Sequence, residues 1–429
     1  MAMDIVLYVL GILIVLVGIA LSIGIHEIGH LVPAKIFGVK VRQYMIGFGP
    51  TVWSKTKGET EYGVKAIPLG GYILMTGMYP PERKPYKGPF ASWIADARQE
   101  VRKDVLEGEE HRQFYLLSAP KKLIIMLGGP VMNLILGVVL IVTALGAIGP
   151  MQPTLEVRQV YDCIEGDVCE GQGVSPAKLA GLSPGDEIRT VNGVAIENWE
   201  QAVSLLNQTQ GSSTLGISRG DQELSVEITP VFTERQVYSD SGQPLKEANG
   251  LPVTEIRPII GIQLGAQNQP LSLGESFDYS MSVVGGTFGF LLDLPNQLYQ
   301  VTLSTLGLQD RNPAGAVSIV GVGQIAGELT SSDGLGLASK LGSLLLLIGS
   351  LNIALFAFNL IPLLPLDGGH VATATYEGLK RRISKTLRSV DSGPVDSARL
   401  LPIAYAVWVL LLAMGILLIL ADLTNPISL

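Results

Sequence analysis

His26-Glu27-Ile28-Gly29-His30 closes an almost purely apolar run that begins at Ile5 and ends at Ile25. The run is long enough to cross about 30 Å of hydrocarbon as a helix. On a helix of 3.6 residues per turn, positions i and i+4 lie about 40° apart and one turn up. His26 and His30 can therefore offer both imidazoles to one ion, and Glu27 projects beside them, where it can take a proton from water. Two histidines and a glutamate are costly at membrane depth, which makes them candidates for function rather than for packing. The bland alternative is a set of interhelical hydrogen bonds or a polar relay.

The rest of the chain fits a membrane protein with sizeable aqueous parts. Its 429 residues have a mean hydropathy of +0.38 and are 47% hydrophobic, too apolar for a wholly soluble protein, while 16% charged residues require water-exposed regions. Ile5 to Ile25, Leu123 to Ile148, Leu344 to Leu364 and Leu401 to Leu420 are each long enough to span. The first lacks a basic flank and a small-residue cleavage site, so it is not read as a removable signal peptide. The net charge of −8 is not concentrated into any basic face, and no nucleic-acid partner is expected.

A catalytic zinc site needs a third protein ligand and an open fourth position. Only four histidines are present, and His111 lies in the charged stretch Glu109-Glu110-His111-Arg112 and reads as a solvated loop residue. A second polar island, Asn359-Leu-Ile-Pro362-Leu-Leu-Pro365-Leu366-Asp367-Gly368-Gly369-His370, follows the third span. Its prolines and paired glycines break the helix, which is tolerated at depth only where protein or a cavity covers the backbone. Either Asp367 or His370 could reach a metal from such a break.

HEIGH at 26 to 30 together with NLIPLLPLDGG at 359 to 369 resembles the site-2 protease family of membrane zinc metalloproteases, with patterns HExxH and NxxPxxxLDG. Gly47-Phe48-Gly49-Pro50, Pro68-Leu69-Gly70-Gly71-Tyr72 and Gly129-Pro130 with Asn133 are further matches, so the likeness covers most of the chain. It looks most like the actinobacterial members with a single PDZ domain. The resemblance implies that His26, His30 and Asp367, rather than His370, hold Zn²⁺, that Glu27 is the catalytic base, and that Asn359 binds the substrate backbone or its developing oxyanion. It further implies an endopeptidase in a bacterial plasma membrane that cuts the membrane segment of single-pass proteins, anti-sigma factors above all, after a first protease has trimmed them.

The fold expected is a polytopic α-helical membrane protein with four transmembrane helices, a membrane-associated β-element and one extracytoplasmic α+β PDZ domain. Residues 1–37 form the first helix, 38–75 the β-element, 76–120 a cytosolic loop and 121–150 the second helix. Residues 155–232 are the PDZ domain, and 233–340 a connector with an interfacial helix and a Gly-rich re-entrant segment, Pro313 to Gly327. Residues 341–368 form the third helix, 369–398 a basic cytosolic loop and 399–423 the fourth helix. Lys35, Lys40, Arg42, Lys55 and Lys57, then Lys121 and Lys122, then Lys380 to Arg388 flank the spans so as to place those regions in the cytosol, with the PDZ domain outside. The active site then sits toward the cytosolic side.

The PDZ reading rests on Ser175-Pro176-Ala177 through Gly185-Asp186-Glu187-Ile188, the Asn192-Gly193 turn, and an alternating hairpin around Gly220-Asp221. Such a fold can capture a peptide terminus or act as bulk that admits only trimmed substrates. Cys163 and Cys169, the only cysteines, fall in this outer region and are expected to form a disulfide. Two readings from other classes compete with the protease: a transporter using the same His, Glu and Asp as an ion path, and a catalytically silent PDZ scaffold.

Overall fold

The computed structural model describes residues 2–427, except 83–85, 104, 106, 165–172, 210, 238–252, 313, 333 and 389–392. In chain order the first elements are helix α1 (Ala2–Ile36), strands β1 (Val41–Lys57) and β2 (Thr60–Met75), and helices α2 (Ala91–Lys103) and α3 (Ala119–Thr143). Next come β3 (Met151–Val160), α4 (Pro176–Leu179), β4 (Glu187–Val191), β5 (Val194–Ala195), α5 (Trp199–Thr209), β6 (Ser213–Arg219), β7 (Gln222–Ile228), β8 (Val231–Gln236), β9 (Thr254–Ile259) and β10 (Ile262–Asn268). The chain ends with α6 (Leu273–Leu292), α7 (Leu294–Thr305), α8 (Ile319–Ser331), α9 (Leu337–Asn359), α10 (Asp367–Arg388) and α11 (Leu401–Thr424). Two compact units result, one of residues 1–147 with 271–429, the other of 148–270.

In the first unit, four helical segments are long and apolar enough to cross a membrane: Met3–Ile36, Ala119–Ile148, Leu337–Asn359 and Ser397–Thr424. Many of their apolar side chains are exposed, among them Leu13, Val17, Leu21, Ile135, Val139, Trp408 and Leu412, a surface suited to lipid rather than water. Among the described residues, neither α6 nor α7 is a further candidate span; they meet at Asp293, followed by Pro295 at the start of α7.

Glycines set how closely the spans approach. A Cβ on Gly29 of α1 would meet Gly128 and Met132 of α3, and a Cβ on Gly137 of α3 would lie 2.9 Å from the Gly349 carbonyl of α9. Without side chains at these positions the backbones pack directly, the usual means of holding helices together in lipid. Asn352 of α9 adds a polar tie, its Nδ2 donating to Ser22 Oγ on α1 at 2.9 Å. Further along α1, Val15 packs with Val322 and Ala326 of α8 and with Leu344 and Ile348 of α9.

The third span stops at Asn359, and a separate helix, α10, starts at Asp367. The break falls where the prolines and paired glycines are expected to interrupt the helix, but the span ends at Asn359 rather than 368, and much of 369–398, expected as a loop, is the helix α10. The intervening turn contains Pro362 and Pro365, with the Leu364–Pro365 peptide cis, and neither proline can supply an N–H to a helix. Gly368 and Gly369 let the start of α10 press onto that turn, since a Cβ on Gly369 would lie 2.7 Å from the Leu363 carbonyl carbon.

β1 and β2 are long and bent, and each pairs only with the other among the described residues. Tyr44 to Ile46 of β1 face Tyr62 to Val64 on one side and Gly71 to Ile73 on the other, while Ser54 to Lys57 pair with Thr60 to Gly63. Two strands thus make a small sheet whose edges are the first part of β2's final run, Gly71 to Met75, and the end of β1. Tyr44, Val39, Val41, Met75 and Phe114 pack with Leu31 of α1 and Ile125 of α3, seating the sheet on the helices.

The second unit is a β-sheet in the order β10-β3-β4-β6-β7, with β5 beside β4 and a separate β8–β9 pair. Its core contains Val157, Ile188, Val191, Leu206, Leu215, Ile217 and Ile228. Leu215 faces Val226 and Ile217 faces Leu224 across the β6–β7 hairpin. Asn192 (φ 52°) and Gly193 (φ 80°) make the tight turn into β5. The unit is broader than 155–232 because β10 returns to pair with β3. Cys163 is buried and disulfide-bonded, while Cys169, its expected partner, lies outside the described residues.

Fully buried Asp186 ties this unit together, taking Arg219 Nε at 2.6 Å and Nη2 at 2.8 Å, with the Ser183 N–H at 2.8 Å. The Arg219 guanidinium holds the carboxyl below its ordinary range. Because the folded pKa is depressed, this contribution is complete above the unfolded value near about 4 and is lost as pH falls through the lower folded value. Asp186→Asn is expected to lower the unfolding temperature of the full chain at neutral pH and to flatten its loss on acidification below about pH 4. Hydrogen exchange over residues 187–228, corrected for intrinsic rates, would check that the effect is local.

Candidate metal centre

His26, Glu27 and His30 lie on α1, which continues unbroken through the motif to Ile36. Asp367 opens α10. His26 Nε2 lies 3.1 Å from His30 Nε2, and the two imidazole nitrogens lie 3.2 and 3.3 Å from Asp367 Oδ2. All three ligand atoms fall within 4.8 Å of one another. A tetrahedral zinc with bonds of roughly 2.0–2.1 Å separates its ligand atoms by about 3.3 Å, so the triangle has the size such an ion demands. Asp367 Oδ2 is also buried without a hydrogen bond among the described residues. A carboxylate oxygen in that state is accounted for by a cation.

The surrounding helices orient each candidate ligand. His30 Nδ1 is 2.7 Å from the Ile125 carbonyl of α3, and since a carbonyl only accepts, Nδ1 carries the proton and Nε2 of the neutral ring keeps its lone pair for a metal. Gly129 lies one turn beyond Ile125. A Cβ there would overlap His30 Nε2 and lie 2.7 Å from His26 Cε1, so only glycine leaves room for both rings. Another turn on, buried Asn133 places Nδ2 3.2 Å from His26 Nδ1.

The position of α10 is fixed by a buried charge cluster. Lys122 Nζ of α3 lies 2.9 Å from both carboxylate oxygens of Glu377, which also accepts from Arg381 at 3.2 Å and from the Val395 N–H at 3.1 Å. Nearly every bonding capacity of Glu377 is used, which is what makes a buried pair tolerable and orientation-specific. It sits ten residues along the helix that Asp367 opens.

The β-element approaches from the other side. Tyr44 Oη donates to the Gly24 carbonyl at 2.8 Å, two residues before the motif. Burial first, then the nearby Glu27 carboxylate, pushes the phenol up to about 12, so it remains a neutral donor. Gly71 faces Glu27: a Cβ there would lie 3.1 Å from Glu27 Cγ. Glu27 itself is buried at 7% exposure.

His370 does not join the triangle; it lines an apolar pocket of about 340 Å³ with Tyr79, Leu364, Pro365, Tyr405 and Trp408. His111 sits in a short 3₁₀ turn. Asn359 is the last residue of α9, half-buried, and its side chain makes no hydrogen bond among the described residues. The Ile125 carbonyl, the Lys122–Glu377 pair and Tyr44 are site-building groups that the sequence reading did not single out. A lysine opening an apolar span and a lone Asn inside it were the available signals.

The model of Peptidase family M50 matches residues 14–390. The chain is 31% identical to the zinc metalloprotease Rip1 of Mycobacterium tuberculosis strain H37Rv, with 99% of each chain covered. It is 30% identical to Rip1 of Mycolicibacterium smegmatis over 98% of each. Identity to the zinc metalloprotease RasP of Geobacillus kaustophilus is 25%, over 83% of this chain and 86% of that one.

Gly129→Ala is expected to push the imidazoles apart and to weaken zinc binding roughly ten- to hundredfold, the equivalent of an over-packed core contact. Zinc content after dialysis against a buffered chelator checks this, with Gly146→Ala, in a roomier position, as the control. The zinc-sized triangle, two of its residues on an apolar helix, and the match along nearly the whole sequence lead to one assignment: the chain belongs to Peptidase family M50, the site-2 protease family, and is a membrane zinc metalloendopeptidase.

Proposed function

We propose that this protein cleaves the membrane-spanning segment of single-pass membrane proteins, with His26, His30 and Asp367 as zinc ligands and Glu27 as general base. The carrying observation is the zinc-sized triangle of ligand atoms beside buried Glu27, two of the three on a helix apolar enough to span. When bound, zinc polarises a carbonyl and makes water a better nucleophile. Glu27 accepts the proton of the attacking water and returns it to the leaving nitrogen. Asn359, at the end of α9, is assigned to the substrate backbone or its developing oxyanion.

A helix is a poor protease substrate because its carbonyls are already hydrogen-bonded. The open edge of β2 at Gly71 to Met75 borders Glu27 and offers an extended partner strand for an unwound substrate, which supports strand addition as the mode of presentation. The preferred substrate class is a pre-cleaved anti-sigma factor. Residues 155–232, within the unit of 148–270, are read as a PDZ domain outside a bacterial plasma membrane, admitting only trimmed substrates, with the metal toward the cytosol. Lys and Arg flanking the spans support that sidedness. Disulfide-bonded Cys163 fits the same outer placement, with Cys169 its proposed partner.

Purified protein incubated with a membrane-spanning test substrate is expected to cut it within the spanning segment and to stop on zinc chelation. Glu27→Gln should keep its zinc and lose about 10²- to 10⁴-fold in rate. Cleavage by Glu27→Gln at the parental rate would remove Glu27 from the mechanism. Cleavage that persists through exhaustive chelation would remove the metal.

A further inference from the structure

Of the two histidines, only His30 has its remote nitrogen settled by a group whose role admits no choice, the Ile125 carbonyl. His26 faces Asn133 instead, and the amide as oriented points Nδ2 at His26 Nδ1, leaving Asn133 Oδ1 buried without a partner. That arrangement makes Nδ1 the acceptor. A neutral ring with a lone pair on Nδ1 carries its proton on Nε2, the atom that stands 3.2 Å from Asp367 Oδ2 and must be bare to ligate a metal. Nδ2 and Oδ1 of an amide occupy equivalent space, so a half-turn about the last bond exchanges them without moving another atom. The proton on His26 then decides between the two orientations, because a bare Nε2 requires the hydrogen on Nδ1.

We propose that Asn133 is a positioning residue for the metal centre, its Oδ1 accepting the Nδ1–H of His26 and so fixing the ring in the tautomer that presents a bare Nε2. The inference rests on the zinc assignment of His26. α3 then serves both imidazoles alike, through acceptors two turns apart, at Ile125 and Asn133, with the gap of Gly129 between them. Asn133 is 1% exposed, so water does not replace it as acceptor.

The test is the zinc affinity of the detergent-solubilised full chain, measured by competition with a chromophoric chelator, for the parent, Asn133→Leu, Asn133→Asp and His26→Ala. Asn133→Leu fills the space without an acceptor and is expected to bind zinc about 10- to 100-fold more weakly, the usual cost of losing a histidine's outer partner. Asn133→Asp can only accept and is expected to stay within about threefold of the parent or to bind more tightly. Cobalt in place of zinc should give the parental visible spectrum in Asn133→Asp and an altered one in Asn133→Leu. Thermal unfolding of the metal-free proteins shows which variants are folded. If Asn133→Leu is not, Asn133→Asp decides alone, because an Nδ2 donor role would make it as weak as a missing side chain. Parental affinity in Asn133→Leu, or an Asn133→Asp that folds yet binds a hundredfold more weakly, overturns the proposal. A parent that binds no stoichiometric zinc, or a His26→Ala that binds it fully, refutes the metal assignment and this inference with it, and is recognised because it shows without any change at Asn133.

Discussion

The close crossing of α1 and α3 is the constraint on which the site depends. Two imidazoles can be buried in an apolar setting only if something other than water orients them, and here that role falls to the face of a neighbouring helix. Gly29 and Gly128 bring the backbones together, and Gly129 leaves a slot in which both rings fit. The same approach puts the Ile125 carbonyl within 2.7 Å of His30. A larger residue at any of these glycines would separate the helices and withdraw the groups that hold the rings.

The carboxylate arrives by a different route. Asp367 does not end the third span but begins a new helix after a proline-containing turn, so its position is set by how α10 packs. The Lys122–Glu377 pair fixes α10 to α3, the same helix that orients the histidines. One helix thus references both halves of a site whose candidate ligands lie more than three hundred positions apart in sequence. Such a buried charge cluster contributes little net stability, but its directional bonds fix one arrangement among many.

Much of this was legible in the sequence because it is local. Spacing of i and i+4 puts His26 and His30 on one helical face, and an apolar run of spanning length around them needs no tertiary information to be noticed. Asp367 was legible as a candidate because prolines and glycines interrupt an otherwise apolar stretch, although its choice over His370 came from resemblance. Less was readable where long-range contact decides. Asn133 was legible only as part of the Gly129-Pro130 motif match that carries the resemblance, and only the fold places it against His26. Residues 38–75 were legible as a β-element, but not the way one run of β1 pairs along both of its sides, since that leaves no mark in alternation. Likewise, β10 joins the sheet of the second unit across a stretch with no legible motif, which is why that unit reaches Pro270.

The central claim is that His26, His30 and Asp367 together hold one zinc ion, and zinc-edge X-ray absorption of the purified full-length protein tests it most directly. The account predicts a single site with two imidazole ligands and oxygen ligands completing a tetrahedron, and a loss of carboxylate oxygen with both imidazoles retained in Asp367→Ala. A spectrum with fewer than two imidazoles, or one unchanged by Asp367→Ala, would contradict it.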